Sequence, residues 1–167
     1  MRISISLSGP PRGKGRARAV SIPGVGARLY SDPATVKYET QLRFAGTQAM
    51  AGRPPIEGPV QVVLWVRFPI PESWSKKRRN LALSGNILPT KRPDVDNIIK
   101  LIGDGLNMVT WRDDAQIADV RGIKIYSDRP GMTIEIDTLP LDSSDRPRDP
   151  LVHLGGVLAS APPDMLL

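Results

Sequence analysis

The 167-residue chain has no cysteine and a single histidine, His153, close to its C-terminal end. Without cysteine, disulfides, thiolate metal sites and cysteine nucleophiles are excluded. One histidine in a poorly patterned stretch argues against histidine-based zinc sites and serine–histidine relays. No apolar run has the length of a signal peptide or a membrane span, so we expect a cytoplasmic protein with no membrane partner.

The charge balance is basic, with 23 lysines and arginines against 17 aspartates and glutamates and a formal net charge of +6. Such a surplus is typical of proteins that bind nucleic acid or an anionic surface, although it also serves solubility alone. One stretch, residues 91–116, nevertheless concentrates acids: Asp94, Asp96, Asp104, Asp113 and Asp114. Acids gathered in a basic protein suggest a divalent metal bound beside a polyanion.

Alternating apolar residues predict strands over 2–8, 60–68, 116–126 and 132–137, of which 60–68 is expected to be central. The third run changes phase at Gly122, which predicts a β-bulge there. The fourth run is expected to return as its hairpin partner.

Helical spacing of apolar residues predicts two helices, over 33–50 and about 97–109, with Asp32 and Asp96 as N-caps. The first helix carries an apolar stripe that is expected to face the core: Val36, Leu42, Ala45 and Ala49.

Two basic stretches precede the acids. The first, RGKGRAR, carries Arg12, Lys14, Arg16 and Arg18, and its glycines allow a partner to approach the backbone closely. The stretch fits two interpretations equally well, a loop that contacts phosphates and a flexible loop exposed to solvent. The second, about 70–93, shows no regular pattern, and we interpret it as a mobile DNA clamp, with a disordered loop as the alternative. Its cations are Lys76, Lys77, Arg78, Arg79, Lys91 and Arg92.

The spacing of the acids indicates a site made only of oxygen ligands. Asp94 and Asp96 point to one side of an extended segment, and Asp96, Lys100 and Asp104 are spaced to lie along one helix face. Carboxylates without histidine or thiolate suit Mg²⁺ or Mn²⁺.

Asp114 begins a different strand, so its distance from Asp94 bears on whether the two aspartates can share a metal ion. If the second helix and that strand pack antiparallel, the two aspartates lie roughly 20 Å apart. Either the helix crosses the sheet or a second subunit contributes. Structural roles also remain open, since Asp96 can cap the helix, Asp104 can pair with Lys100, and Asp113–Asp114 can be turn residues.

The run PTKRPDVDNIIKLIGDGLN…WRDDAQI closely resembles the RusA family of Holliday junction resolvases, many of them encoded by phages and prophages. GPPRGKGRARA and SWSKKRR also resemble phage-type members, and the similarity spans about residues 2–138. The resemblance implies an α+β fold with a small mixed β-sheet and two main helices, in an intertwined homodimer. Residues 1–139 are then the nuclease domain, and 140–167 form a flexible tail without a counterpart in the compact members.

The resemblance also implies roles for individual residues. Asp94, Asp96 and Asp114 match the family's essential acids and are expected to be catalytic and to bind metal. Lys100 matches the lysine expected to assist at the phosphate, and Asp104 and Asp113 match recurrent supporting acids. The cations of both basic stretches are expected to bind DNA.

The implied function is Mg²⁺-dependent resolution of four-way junctions by paired symmetric nicks, with Mn²⁺ as a substitute ion, in recombination, repair or phage DNA processing. Two alternatives remain open. One is a looser flap or branched-DNA endonuclease that uses the same residues. The other is a non-catalytic DNA-binding protein whose acids only cap and pair. Trp74 and Trp111 either stack on bases or belong to the core.

Overall fold

A four-stranded mixed β-sheet frames the molecule, and the computed structural model describes residues 1–15, 18–22, 24, 26–30 and 32–140. The tail expected over 140–167 lies, from residue 141 onward, outside the described residues. The elements in chain order are β1 (Arg2–Ser8), β2 (Arg18–Ile22), β3 (Gly26–Tyr30), α1 (Pro33–Met50), β4 (Val60–Pro69), α2 (Lys76–Leu83), α3 (Val95–Leu106), β5 (Ile117–Ser127) and β6 (Gly131–Thr138). The predicted α+β class with a mixed sheet is confirmed.

β4 is a central strand, as its near-continuous apolar sequence predicts. The sheet order is β1-β6-β4-β5, in which β4 pairs antiparallel with β6 and parallel with β5. The prediction that β6 is the hairpin partner of β5 is wrong, because β4 lies between them. This order gives β6, whose apolar residues are fully buried, two neighbouring strands and leaves the less buried β5 at the edge.

The register irregularity of β5 lies at a different residue from the one predicted. The register with β4 shifts between Val60 and Gln61, where Ala118 is the extra residue, so the bulge predicted at Gly122 is wrong. Gly122 pairs regularly with Leu64. A Cβ atom at Gly122 would lie 2.3 Å from Cγ1 of Val95. The glycine therefore leaves space for the first residue of α3.

α1 has the predicted limits and the predicted cap. The Asp32 carboxylate accepts a hydrogen bond from the Thr35 amide at 3.2 Å, and Pro33 occupies the first turn. The buried face consists of Thr35, Tyr38, Leu42, Gly46 and Met50. Val36 is 46% exposed, so its assignment to the core stripe is wrong. The true stripe starts one residue earlier.

The connection interpreted above as an irregular loop contains α2, which the sequence analysis did not predict. The Ser75 hydroxyl caps α2 by accepting a hydrogen bond from the Arg78 amide at 3.4 Å. Because Ala82 is the only buried residue of α2, the segment KKRRNLAL has no apolar stripe to reveal it. The β2–β3 hairpin was also not predicted. No helix in the described ranges is long and apolar enough to cross a membrane.

Two glycines allow α1 and α3 to pack closely. A Cβ atom at Gly46 would lie 2.7 Å from Cδ2 of Leu106, and one at Gly105 would lie 2.6 Å from Cδ2 of Leu42. Leu42 and Leu106 are fully buried, so each leucine fills the space that the opposite glycine leaves. This contact sets the position of α3, and hence of every acid that α3 carries.

Gly46→Leu should destabilise the fold by about 1–3 kcal/mol, because the new side chain must displace Leu106 from a close-packed contact. Urea unfolding followed by circular dichroism measures the change. The matched control is Gln48→Leu, which adds the same side chain at an exposed position of α1 and should stay within about 0.5 kcal/mol of wild type. Equal stability of the two variants would contradict the packing described here.

Candidate active site

The first two acids lie at the start of α3, in a different arrangement from the predicted one. α3 begins at Val95 instead of residue 97, so Asp94 is the N-cap residue and Asp96 lies in the first turn. The prediction that Asp96 caps the helix is therefore wrong. The Asp94 side chain makes no capping hydrogen bond, and both carboxylates are exposed. They lie where the helix dipole favours negative charge.

The N-terminal loop Pro10–Gly15 packs against this helix start. A Cβ atom at Gly13 would lie 2.9 Å from Cβ of Pro93 and 3.0 Å from Cβ of Asn97. The Lys14 amide donates a hydrogen bond to the Asn97 carbonyl at 2.8 Å. The glycine was expected to let an external partner approach the backbone, but here it lets the loop approach α3 of the same chain.

β5 supports the same segment through Lys124, a residue that the sequence analysis did not single out. Its ammonium donates hydrogen bonds to the carbonyl of Lys91 at 2.6 Å and to that of Pro93 at 3.1 Å. The Arg92–Pro93 peptide bond is cis. No strong sequence signal marks Lys124, because the apolar residues Ile123 and Ile125 occupy the other face of β5.

An open cleft of about 680 Å³ lies beside Asp94. It is lined by the Pro10–Gly15 loop and by Arg92, Pro93, Asp94 and Asn97. Arg12 and Arg92 are both exposed, and Arg12 also lies 3.5 Å from the Asp32 carboxylate. The cleft thus brings guanidinium groups next to an acid, an arrangement suited to a phosphate backbone that approaches a hydrolytic site.

Asp114 packs against the C-terminal half of α3, at Gly103. A Cβ atom at Gly103 would lie 3.2 Å from Oδ2 of Asp114. Gly103 lies two helical turns after Asp96 on the same helix face, which corresponds to about 10 Å along the axis. Asp94 lies further away again. The structure therefore places Asp114 on the face of α3 that carries Asp96, but it does not bring Asp114 next to Asp94.

The donor types suit a hard divalent cation, because exposed carboxylates are the ligands that Mg²⁺ and Mn²⁺ prefer. The arrangement is open, however. Among the residues that the structure describes, no group of three or more aspartate, glutamate, histidine or cysteine side chains is placed to hold a metal ion. One chain in this conformation offers two acids at the start of α3 and a third acid two turns away.

Asp104 pairs with Lys14 and not with Lys100. The Lys14 ammonium donates a hydrogen bond to the Asp104 carboxylate and lies 3.6 Å from Oε1 of Glu39. The hydrogen bond to Asp104 is the main cause that raises the pKa of Lys14, so Lys14 is protonated at neutral pH. Its charge is shared between two acids, which leaves less of it for a phosphate. Lys100 is exposed.

Asp113 has a local structural role. Its Oδ1 accepts a hydrogen bond from the Ala115 amide at 2.8 Å, and Gln116 completes a capping box for the short 3₁₀ turn Asp114–Gln116. This is the turn role that the sequence analysis left open. Trp111 is fully buried and so belongs to the core, while Trp74 is partly buried beneath Arg78.

The remaining predicted DNA-binding cations lie in several settings. Lys76 and Lys77 are exposed on the first turn of α2, and Arg79 pairs with Asp128 at 2.6 Å. Lys91 lies 6.0 Å from the centre of the Tyr126 ring. Arg18 begins β2, and Arg16 lies outside the described residues.

The chain is similar to known proteins over most of its length. A family model described as endodeoxyribonuclease RusA matches residues 8–137. Uncharacterized protein YqaN of Bacillus subtilis (strain 168) is 37% identical over 138 residues, which cover 80% of this chain and 94% of that protein. The family match includes the cleft, α3 and the acid that precedes β5.

Gly13→Leu should detach the N-terminal loop from α3, because the side chain cannot fit between Pro93 and Asn97. Amide hydrogen exchange at Lys14, measured by NMR, should become at least tenfold faster as its bond to Asn97 is lost. Arg12→Leu is the matched control, since it places the same side chain at an exposed neighbouring position. Protection of the Lys14 amide in the Gly13→Leu variant at the wild-type level would show that the loop does not depend on this contact.

Proposed function

Because the chain belongs to the RusA family of endodeoxyribonucleases, and is therefore an enzyme that hydrolyses DNA, we propose that it resolves Holliday junctions by Mg²⁺-dependent paired symmetric nicks. The family acts on junction DNA in recombination. Beyond the activity of the family, we propose a Mg²⁺ cofactor, specific site residues and a homodimer. We also propose a role in repair or phage DNA processing in the cytoplasm. The observation that carries it is the exposed carboxylate of Asp94 in a cleft with exposed arginines, with the exposed Asp96 two residues further along α3.

Asp94, Asp96 and Asp114 are the proposed metal ligands, and Mn²⁺ is expected to substitute. When bound, the ion supplies Lewis-acid polarisation of the phosphate and lowers the pKa of a coordinated water. The Asp94 side chain makes no capping hydrogen bond, so its oxygens remain available to a metal ion, and this supports the assignment. Acids from a second subunit would complete the ligand set.

Lys100 is the proposed electrostatic partner of the phosphate. It lies one turn after Asp96 on an exposed part of α3. An ammonium beside the scissile phosphate would compensate the negative charge that develops as the P–O bond breaks. Hydrolysis then leaves a 5′-phosphate and a 3′-hydroxyl, the ends that a ligase can seal.

α2 is the proposed contact with a DNA arm, and its electrostatics support this role. The helix begins with Lys76, Lys77, Arg78 and Arg79 and has no acid in its first turn. Cations at a helix N-terminus oppose the helix dipole, each by about 0.3–1 kcal/mol when exposed. A phosphate backbone bound there would relieve this repulsion, so affinity for junctions should fall steeply with salt.

Two-fold symmetry links the proposed homodimer to its substrate. A symmetric dimer presents two equivalent catalytic surfaces, and a four-way junction offers two equivalent strands for cleavage. Nicks placed symmetrically in those strands separate the junction into two duplexes that can be ligated.

The defining assay is incubation of the purified protein with a mobile four-way junction in Mg²⁺ and in EDTA, beside linear duplex and flapped DNA. We expect symmetric nicks in the junction alone, and only with metal. Equal cutting of flaps would favour a looser branched-DNA nuclease. Binding without cleavage in either Mg²⁺ or Mn²⁺ would favour a DNA-binding protein.

Asp94→Asn should retain junction binding and lose cleavage by at least about 100-fold, because an amide is a poor ligand for a hard cation. Binding is measured in EDTA, and cleavage is measured in single turnover with Mg²⁺. Asp137→Asn makes the same chemical change at an aspartate that pairs with Arg2 on β1, and it should cut at the wild-type rate. Wild-type cleavage by Asp94→Asn would refute the metal assignment.

Gly103→Ala tests the position of Asp114. The added methyl group would lie 3.2 Å from Oδ2 and 3.3 Å from Cβ of Asp114, so the carboxylate must move by a few tenths of an ångström. Cleavage should fall about tenfold at unchanged junction affinity, since catalytic geometry tolerates little displacement.

Stability should hold in the Gly103→Ala variant, because alanine favours a helix interior over glycine by about 1 kcal/mol. A thermal melt measures this alongside the cleavage rate. Full activity with an unchanged melt would mean that catalysis does not use Asp114 in the position described here.

A further inference from the structure

We propose that Lys124 is a positioning residue for the catalytic turn that presents Asp94. The inference rests on the proposed function, because it gives Lys124 a part in cleavage through Asp94. Its basis is the pair of hydrogen bonds from the Lys124 ammonium to the carbonyls of Lys91 and Pro93, at 2.6 and 3.1 Å. Pro93 directly precedes Asp94, so the second bond holds the peptide unit that joins Pro93 to the proposed catalytic acid.

Lys124 is a charged residue among buried apolar neighbours on β4. Lys124 pairs with Val66 in the parallel β4–β5 ladder, between the Gly122–Leu64 and Tyr126–Phe68 pairs. Val66, Leu64 and Phe68 are all buried. An apolar residue would suit this face of the strand better than a lysine. The two backbone carbonyls supply the partners that a partly buried ammonium requires.

The aliphatic part of the Lys124 side chain also helps to position the ammonium. Its ammonium lies 4.9 Å from the centre of the Phe68 ring, a cation–π distance. The methylene chain can therefore cover apolar surface while the charged end reaches the turn. Because the ring and the two carbonyls all contact the ammonium, its position is defined, and it can hold the turn in place.

β5 holds the chain on both sides of Asp94. Before Asp94, Lys124 binds the carbonyl of Pro93. After Asp94, Val95 occupies the space above Gly122, where a Cβ atom would lie 2.3 Å from its Cγ1. Lys124 and Gly122 are two residues apart on the same face of one strand. The backbone of Asp94 is thus fixed between two contacts to a single rigid element, as a precise catalytic site requires.

The electrostatic part of this arrangement acts on the backbone. The ammonium donates hydrogen bonds to two carbonyls at a partly buried surface, where an unpaired polar group is costly. Removing it leaves those carbonyls without this partner, so the turn is expected to shift toward water. The predicted consequence is misplacement of Asp94 together with the adjoining Lys91 and Arg92, while the DNA-binding cations of α2 and of the N-terminal loop keep their positions.

The test compares Lys124→Met, Lys124→Arg and the control Lys37→Met, which removes the same charge from an exposed position of α1. Lys124→Met should lower the single-turnover cleavage rate at saturating junction by about tenfold or more. The Mg²⁺ concentration for half-maximal rate should rise several-fold, and junction affinity in EDTA should match that of Lys37→Met. Lys124→Arg should recover most of the rate, because a guanidinium can also donate to two carbonyls.

A second readout does not depend on activity. Hydrogen exchange measured by mass spectrometry should show faster exchange in peptides that cover residues 92–97 of Lys124→Met, with unchanged exchange in α1. Faster exchange throughout the chain, together with a lowered melting temperature, would mean that Lys124 serves only global stability. That result would overturn the proposal.

The outcomes separate this inference from the function on which it rests. If wild type cuts no junction, the proposed function fails, and the exchange experiment still decides whether Lys124 holds the turn. If wild type cuts and Lys124→Met cuts equally fast with the same Mg²⁺ dependence, the positioning role is refuted and the resolvase activity stands.

Discussion

The contact between the start of α3 and the edge strand β5 is the constraint on which the candidate site depends. Val95 fits above Gly122 only because that position has no side chain, and Lys124 binds the carbonyl that precedes Asp94. The close α1–α3 packing at Gly46 and Gly105 sets the other side of the helix. These contacts use glycine or backbone carbonyls, so they bring main chain, and not only side chains, to fixed positions.

Most strands and α1 could be predicted from the sequence, because each has a strong local signal. β4 is a near-continuous apolar run, and α1 has an aspartate and a proline at its start followed by glycine and prolines after its end. Sheet order could not be predicted in the same way. β4 lies between β5 and β6, the apparent hairpin partners, and this pairing over a long sequence separation has no local signal.

The acids of the candidate site were identified from the sequence, but their structural roles were partly exchanged. Asp94 occupies the N-cap position expected for Asp96, yet its side chain makes no capping bond. Asp104 pairs with Lys14, a residue ninety positions away, and not with its helical neighbour Lys100. Helical spacing shows which residues can meet on one helix. It cannot show which loop will fold back onto that helix, so the pairing of Lys14 with Asp104 and the contacts of Lys124 had to be found in three dimensions.

Two local features of the chain oppose stability, and both lie where DNA is expected to bind. An N-cap aspartate that makes no side-chain bond gives up about 1 kcal/mol that a capping hydrogen bond commonly contributes. The cations that begin α2 face the unfavourable end of the helix dipole. Departures from local preference are expected at functional sites, where a ligand supplies the missing partner. A divalent cation at Asp94 and a phosphate backbone at α2 are partners of the right charge. Lys124 also links the turn before Asp94 to β5, the strand against which α2 packs.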